Sequence, residues 1–167
     1  VATPAPGWSF TEWSGALTGS ANPATLTIHG DATVTANYTR IRYPLSVTRT
    51  GTGIGYVTSS PAGISCGTAC SASYDQGTLV TLDAVSALGS TFSGWSGEGC
   101  TGTGTCQVTM DGARSVVANF TLGTNVLSVS LAGTGSGSVS SEPAGIACGA
   151  DCSEDYPYNT LVTLAAI

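Results

Sequence analysis

The sequence predicts an all-β protein assembled from tandem small β-modules, each of 82 residues and about six short strands. Three observations carry that expectation. The chain repeats itself at an offset of 82 without a gap, and 37 of the 85 overlapping positions are identical. Such a pattern marks one structural unit stamped out serially. Gly, Thr, Ser and Val are abundant while good helix formers are scarce, which favours strands joined by tight turns. Apolar residues make up 41% of the chain, and they alternate with polar ones as half-buried strands require.

The anchors of the repeat run through the whole chain. Leu45-Ser-Val47 recurs as Leu127-Ser-Val129, and Pro61-Ala-Gly-Ile64 as Pro143-Ala-Gly-Ile146. Phe10, Trp13, Ser14 and Gly15 match Phe92, Trp95, Ser96 and Gly97, and Ala36-Asn37-Tyr38-Thr39 matches Ala118-Asn119-Phe120-Thr121. The period divides the chain into the C-terminal half of a repeat at 1–44, a complete repeat at 45–126 and the N-terminal half of a repeat at 127–167. Each unit is large enough for a small core, although domains of this size are marginal by themselves.

Within the complete repeat, Leu45–Thr50 and Gly55–Ser60 read as two strands, and Gly51-Thr-Gly53 supplies the positive-φ residues of a hairpin between them. Pro61–Ile64 is a turn, and Cys66 to Cys70 closes a tight loop. Ser71–Gln76 is the one stretch where a single helical turn fits. Thr78–Ala84 alternates as a half-buried strand, and Ser90–Ser96 is a further strand with two aromatics three positions apart. Thr105–Met110 and Arg114–Thr121 read as a final hairpin around Asp111-Gly112. The joints Thr39–Pro44 and Thr121–Val126 are short and lack Gly/Ser or Pro tracts, so successive units should abut rather than swing.

Charge excludes several functions. Only 8% of residues are charged, lysine is absent, the four basic residues are all arginine, and the net charge is −6. No basic patch exists to neutralise phosphates, which argues against nucleic-acid binding. The absence of lysine also rules out lysine-based isopeptide cross-links. No apolar run is long enough to span a bilayer as a helix, so membrane insertion is not expected.

As a set, the motifs resemble a known family. Gly-x-Gly-x-Val is followed by Pro-Ala-Gly-Ile-x-Cys-Gly-x-x-Cys, a Tyr, Gly-Thr-x-Val-Thr-Leu, Phe-x-Gly-Trp-Ser-Gly and Val-Ala-Asn-Phe. This order is similar to the divergent internalin-B-type B-repeat of bacterial surface and secreted proteins. The resemblance implies small β-modules, β-grasp-like or β-sandwich-like, strung in tandem and acting as stalks, spacers or adhesion modules. The first partial copy departs from the pattern, with Glu12 where Gly94 stands and Thr18 and Ala24 in place of Cys100 and Cys106.

The six cysteines bear on compartment. Closely spaced pairs without zinc-type spacing argue for disulfides and an extracellular or cell-surface location. Cys100 and Cys106 are lost together in the first copy, and Cys66 and Cys70 return together as Cys148 and Cys152. Joint loss and joint retention predict Cys66–Cys70, Cys100–Cys106 and Cys148–Cys152. Such small loops gain less than the about 3 kcal/mol of a 15-residue loop, and they act as staples for glycine-rich turns. The alternative, a metal or redox site, lacks the two-residue spacing of a thioredoxin-like motif, and His29 is the single imidazole available to zinc.

Phe10, Trp13, Tyr38, Phe92, Trp95 and Phe120 are expected as core aromatics. The competing reading of Trp13 and Trp95 is a stacking platform for sugar rings. Trp8 faces Ser90 in the alignment and is a candidate surface contact, with a ligand or a neighbouring unit. Asn37-Tyr-Thr39 and Asn119-Phe-Thr121 fit the N-glycosylation pattern but lie at strand ends. Asp151, Glu154 and Asp155 could bind Ca²⁺ weakly, yet Ala69, Ala72 and Ser73 stand at the equivalent positions, which favours a solvated acidic loop. His29 matches Asp111, so no general base recurs. No catalytic residue, metal or cofactor is expected.

The functional expectation is therefore structural: a subunit or segment of an extracellular bacterial filament or stalk, its modules completed by the adjoining segment or chain. The partner is the chain itself, as continuing tandem repeats or as a head-to-tail homopolymer. The rival expectation is a carbohydrate- or surface-binding adhesion module that contacts a cell-surface or extracellular polysaccharide.

Overall fold

Alternation makes strands, and the computed structural model, which describes residues 1–167, contains fifteen of them and no helix. β1 (Trp8–Gly15) and β2 (Val34–Arg40) form an antiparallel pair. The central strands are β3 (Arg42–Thr50), β4 (Gly55–Ser60), β5 (Ser65–Cys66), β6 (Ser71–Asp75), β7 (Leu79–Ser86), β8 (Ser90–Ser96), β9 (Cys106–Thr109) and β10 (Arg114–Leu122). The remainder are β11 (Thr124–Ser128), β12 (Val139–Glu142), β13 (Ala147–Cys148), β14 (Ser153–Pro157) and β15 (Thr163–Ala166).

The central strands make two four-stranded sheets, in the orders β6-β3-β10-β8 and β5-β4-β7-β9. β3 and β10 run parallel, from Leu45 beside Arg114 to Thr50 beside Asn119, and every other neighbouring pair in the two sheets is antiparallel. Inward side chains of both sheets merge into one core of 16 buried residues, with Leu45, Val57, Leu82, Met110, Val116 and Phe120 among the most enclosed. Complete burial of side chains this size contributes roughly 1.5–3 kcal/mol each, and this core holds the unit together.

Two expected hairpins are absent. β3 and β4 lie in different sheets, and so do β9 and β10. The glycine-rich segment after β3 is a crossing between sheets, and its glycines answer to packing. Gly51 has φ +94°, a Cβ on it would collide with the Phe120 carbonyl, and one on Gly55 would collide with the Phe120 ring. Asp111-Gly112 likewise carries the chain from one sheet to the other.

The stretch open to a helical turn is instead strand β6. The outer edge of β3 takes it, with Tyr43 beside Tyr74 and Leu45 beside Ala72. With β5 and β6 added, the complete repeat has eight strands where about six were expected. β3 also starts earlier than expected, inside the supposed joint. Pro44 is tolerated there because β10 joins the strand only from Leu45 onward.

Successive units meet through one recurring backbone clamp. Ile41 donates its N–H to Gly7 O at 2.9 Å and accepts from the Gln76 N–H at 2.9 Å. One period later, Gly123 donates to Gly89 O at 2.8 Å and accepts from the Tyr158 N–H at 2.8 Å. The joint is a single residue between two strands, β2 and β3 or β10 and β11. Both of its polar backbone groups are spent on the units it connects, which fixes their relative orientation.

Candidate functional site

Each flanking half has a strand with fewer neighbours than its counterpart in the central unit. In the central unit β10 lies between β8 and β3, whereas its counterpart β2 pairs with β1 alone. Likewise β3 lies between β6 and β10, whereas its counterpart β11 pairs with β14 alone. An unpaired edge presents a row of free N–H and C=O groups and is a template for another strand.

Apolar residues flank both edges. Tyr38 is 37% exposed where Phe120 is 1% exposed, and Val34 is 36% exposed where Val116 is fully buried. Ile28 is 63% exposed against none for Met110, and Leu164 is 46% exposed against none for Leu82. Residue type is apolar at each pair of equivalent positions; what differs is the neighbouring strands, the opposing sheet for β2 and a β9-type strand for β15.

The aromatics follow the same rule. Phe92 packs on Trp95 and on Phe120, with centroids 5.0 and 5.2 Å apart, and Trp95 and Phe120 are buried. Phe10 packs on Trp13 and Tyr38 at 5.1 and 5.9 Å. That second cluster was expected in a core but stays partly exposed, because no β3-type strand or opposing sheet covers it. Both tryptophans hold down the loop that follows them: Trp95 Nε1 donates to Gly104 O at 2.6 Å and Trp13 Nε1 to Ala21 O at 2.9 Å. A buried Trp95 is not a sugar platform.

Trp8 sits at the first joint. The Arg40 guanidinium lies over its ring at 4.8 Å, and Arg40 and Arg42 both reach Asp75, at 3.0 and 3.2 Å. Trp8 and Tyr38, with Thr3 and Ala5, line a shallow apolar depression. The disulfides are Cys66–Cys70, Cys100–Cys106 and Cys148–Cys152, and no cysteine is free. Each closes a loop beside a strand end, as a staple does.

The remaining candidates stay apart from these edges. The Asn37 amide donates to Ser14 Oγ at 2.9 Å, and both Asn37 and Asn119 lie within paired strands. His29 is exposed on a turn. No group of three or more His, Cys, Asp or Glu comes together, Asp151, Glu154 and Asp155 included. Near Asp111 the chemistry is an ion pair: a hydrogen bond from Arg114 holds the Asp111 carboxyl below its ordinary range.

One recurring contact was overlooked. Tyr74 Oη lies 2.7 Å from Ser59 Oγ, and Tyr156 Oη lies 2.7 Å from Ser141 Oγ. In both copies the serine hydroxyl also accepts from an isoleucine N–H, Ile64 or Ile146, at 2.9 Å. This latch ties the proline turn to the edge strand. The signal was available, since both residues recur at the period.

The molecule is thus an array of all-β units, stapled by disulfides and joined end to end by the backbone clamp. The chain belongs to the Divergent InlB B-repeat domain family, which it matches over residues 1–42 and 45–124. The two matches end one period apart. The family is a non-catalytic repeat family typical of bacterial surface proteins, and together with the disulfides it points to a secreted or surface protein. No curated protein and no solved structure matches the chain.

Proposed function

We propose that the chain is a structural segment of an extracellular bacterial filament or stalk built from head-to-tail B-repeats, each module completed by the adjoining segment or chain. The observation that carries this reading is the clamp at Ile41 and Gly123, which sets successive units in the same backbone arrangement twice over. A repeated fixed joint propagates along an axis, and heterologous contacts that do not close generate filaments. Low charge and disulfide staples suit a fibre exposed to an oxidising medium.

Electron microscopy of the native secreted or surface material tests it. A thin filament or stalk with an axial spacing of roughly 30–45 Å per unit is expected, given compact-domain scaling. Dispersed single globules on the native surface would overturn the reading.

A second reading is favoured by one specific observation, the half-exposed Trp8 beside Tyr38. Exposed aromatic faces suit sugar rings, and an adhesion module would retain a polysaccharide through them. That reading requires binding to a polysaccharide that Trp8→Ala abolishes, whereas a fibre segment tolerates the change.

A further inference from the structure

We propose that the two joints of the chain respond differently to ionic strength. The first is braced by a charged row of Trp8, Arg40, Asp75 and Arg42 and loosens in salt; the second is braced by the Tyr158 ring and does not. The inference concerns contacts inside the chain and stands whether or not the array forms a filament.

The backbone is the same at both joints. One residue donates to the unit before it and accepts from the unit after it, Ile41 at 2.9 and 2.9 Å and Gly123 at 2.8 and 2.8 Å. Because the clamp is shared, a difference in behaviour between the joints comes from the side chains beside it.

At the first joint those side chains are charged. Arg42 opens β3 opposite Asp75 of β6. Its Nε lies 3.2 Å from Asp75 Oδ1, and its Nη2 donates to Ser73 O at 2.5 Å. Asp75 is thereby held within the central unit by one carboxylate oxygen. The other, Oδ2, meets Arg40 Nη1 at 3.0 Å, and Arg40 ends β2 of the flanking half. The Arg40 guanidinium in turn lies 4.8 Å from the ring centroid of Trp8, which opens β1. Arg40 thus carries the contact across the joint. Both arginine side chains are 58% exposed and Asp75 is 37% exposed, so ions reach the brace and screen it.

The second joint has none of these groups. Ser90, Leu122, Pro157 and Thr124 stand one period after Trp8, Arg40, Asp75 and Arg42. A ring takes their place. Tyr158, the counterpart of Gln76, packs on Gly89 so closely that a Cβ there would collide with it. Gly7, the counterpart of Gly89, has nothing within 4 Å of its Cβ position, and Trp8 and Gln76 border an open cleft beside it. Contact between an uncharged ring and backbone is not screened by salt.

Amide hydrogen exchange of the 167-residue chain, resolved by residue with NMR, tests the proposal. It is measured in about 0.01 M and about 1 M sodium chloride, between which the Debye length falls from about 30 Å to about 3 Å. Relative to an unstructured peptide, Ile41 and Gln76 should exchange up to about five-fold faster in high salt, while Gly123 and Tyr158 keep their rates. The amides of Val57 and Val116 report that the central unit stays folded. Asp75→Asn should bring the fast rates to low salt and abolish the salt response, and Trp8→Leu should do so in part. Tyr158→Gln, which installs the residue of the first joint, should speed Gly123 exchange equally at both salt concentrations. Equal salt responses at the two joints, a first joint indifferent to salt, or a response unchanged in Asp75→Asn or Trp8→Leu would overturn the proposal.

Discussion

The central unit and the flanking halves share a sequence pattern and differ in which strands surround it, and many equivalent apolar residues differ in burial accordingly, although Ile146, Cys148 and Tyr156 are as buried as Ile64, Cys66 and Tyr74. Phe120 and Tyr38 occupy one position of the repeat, as do Met110 and Ile28, yet the first of each pair is enclosed and the second is open to water. The halves nonetheless retain their local structure. β1–β2 pairs in a ladder with one irregularity, as β8–β10 does, and β11–β14 has the register of β3–β6 one period on. Local ladders, the short disulfide loop and the Ser–Tyr latch thus form in the flanking halves, but the core there shrinks to a small cluster of Ile146, Cys148 and Tyr156 between β11–β14 and the sheet of β12, β13 and β15.

The largest consequence should appear when the equivalent rings are truncated. Phe120→Ala is expected to cost about 3–5 kcal/mol, a large part of the roughly 4–12 kcal/mol that a unit of this size holds. Tyr38→Ala in dilute chain should cost under about 1 kcal/mol, as surface changes do. Urea unfolding followed by far-UV circular dichroism measures both. Equal costs would mean that the flanking half is already packed like the centre.

A subtler contrast lies in the glycines. Gly51 and Gly133 both have positive φ, +94° and +106°, so alanine brings each the same left-handed penalty of about 1–2 kcal/mol. Only Gly51 faces a neighbour, the Phe120 carbonyl, while Gly133 faces open space. Gly51→Ala should therefore lose about 1–3 kcal/mol more than Gly133→Ala in thermal and urea unfolding of dilute chain.

The repeat made much of this legible. Ser90–Ser96 was readable as a strand from its alternation, and the structure places β8 at the same residues. Joint loss of Cys100 and Cys106 from the first copy marked them as partners, and they are bonded to each other. Sheet membership was not legible. Alternation says that a residue stretch is a strand but carries no label for its neighbour, and β3 meets β10 across almost the whole repeat. Gly51-Thr-Gly53 looked like a hairpin turn because positive φ serves turns and close approaches alike; the ring it makes room for, Phe120, lies far along the chain. Exposure of Tyr38 was illegible for a related reason, since its sequence position is that of a core residue.

The smallest contrast concerns charge. Arg114 spends its terminal nitrogens on Glu98, at 2.6 Å, and on Asp111, leaving Nε enclosed without a partner. In the first copy Ala16, His29 and Ala32 occupy these positions, so the cluster belongs to the central unit alone. The hydrogen bond from Arg114 lowers the Asp111 pKa below its ordinary 3.8. A carboxyl depressed on folding contributes stability that is fully present above its unfolded value and is lost as pH falls through the folded one. Acid titration of stability should therefore show a small extra loss below pH 3.8 that Asp111→Asn removes. High salt should shrink the same increment, because exposed pairs are screened. A loss that persists unchanged in Asp111→Asn would assign it to other carboxylates, and the central unit would then owe nothing measurable to the one ion-pair cluster that the flanking half lacks.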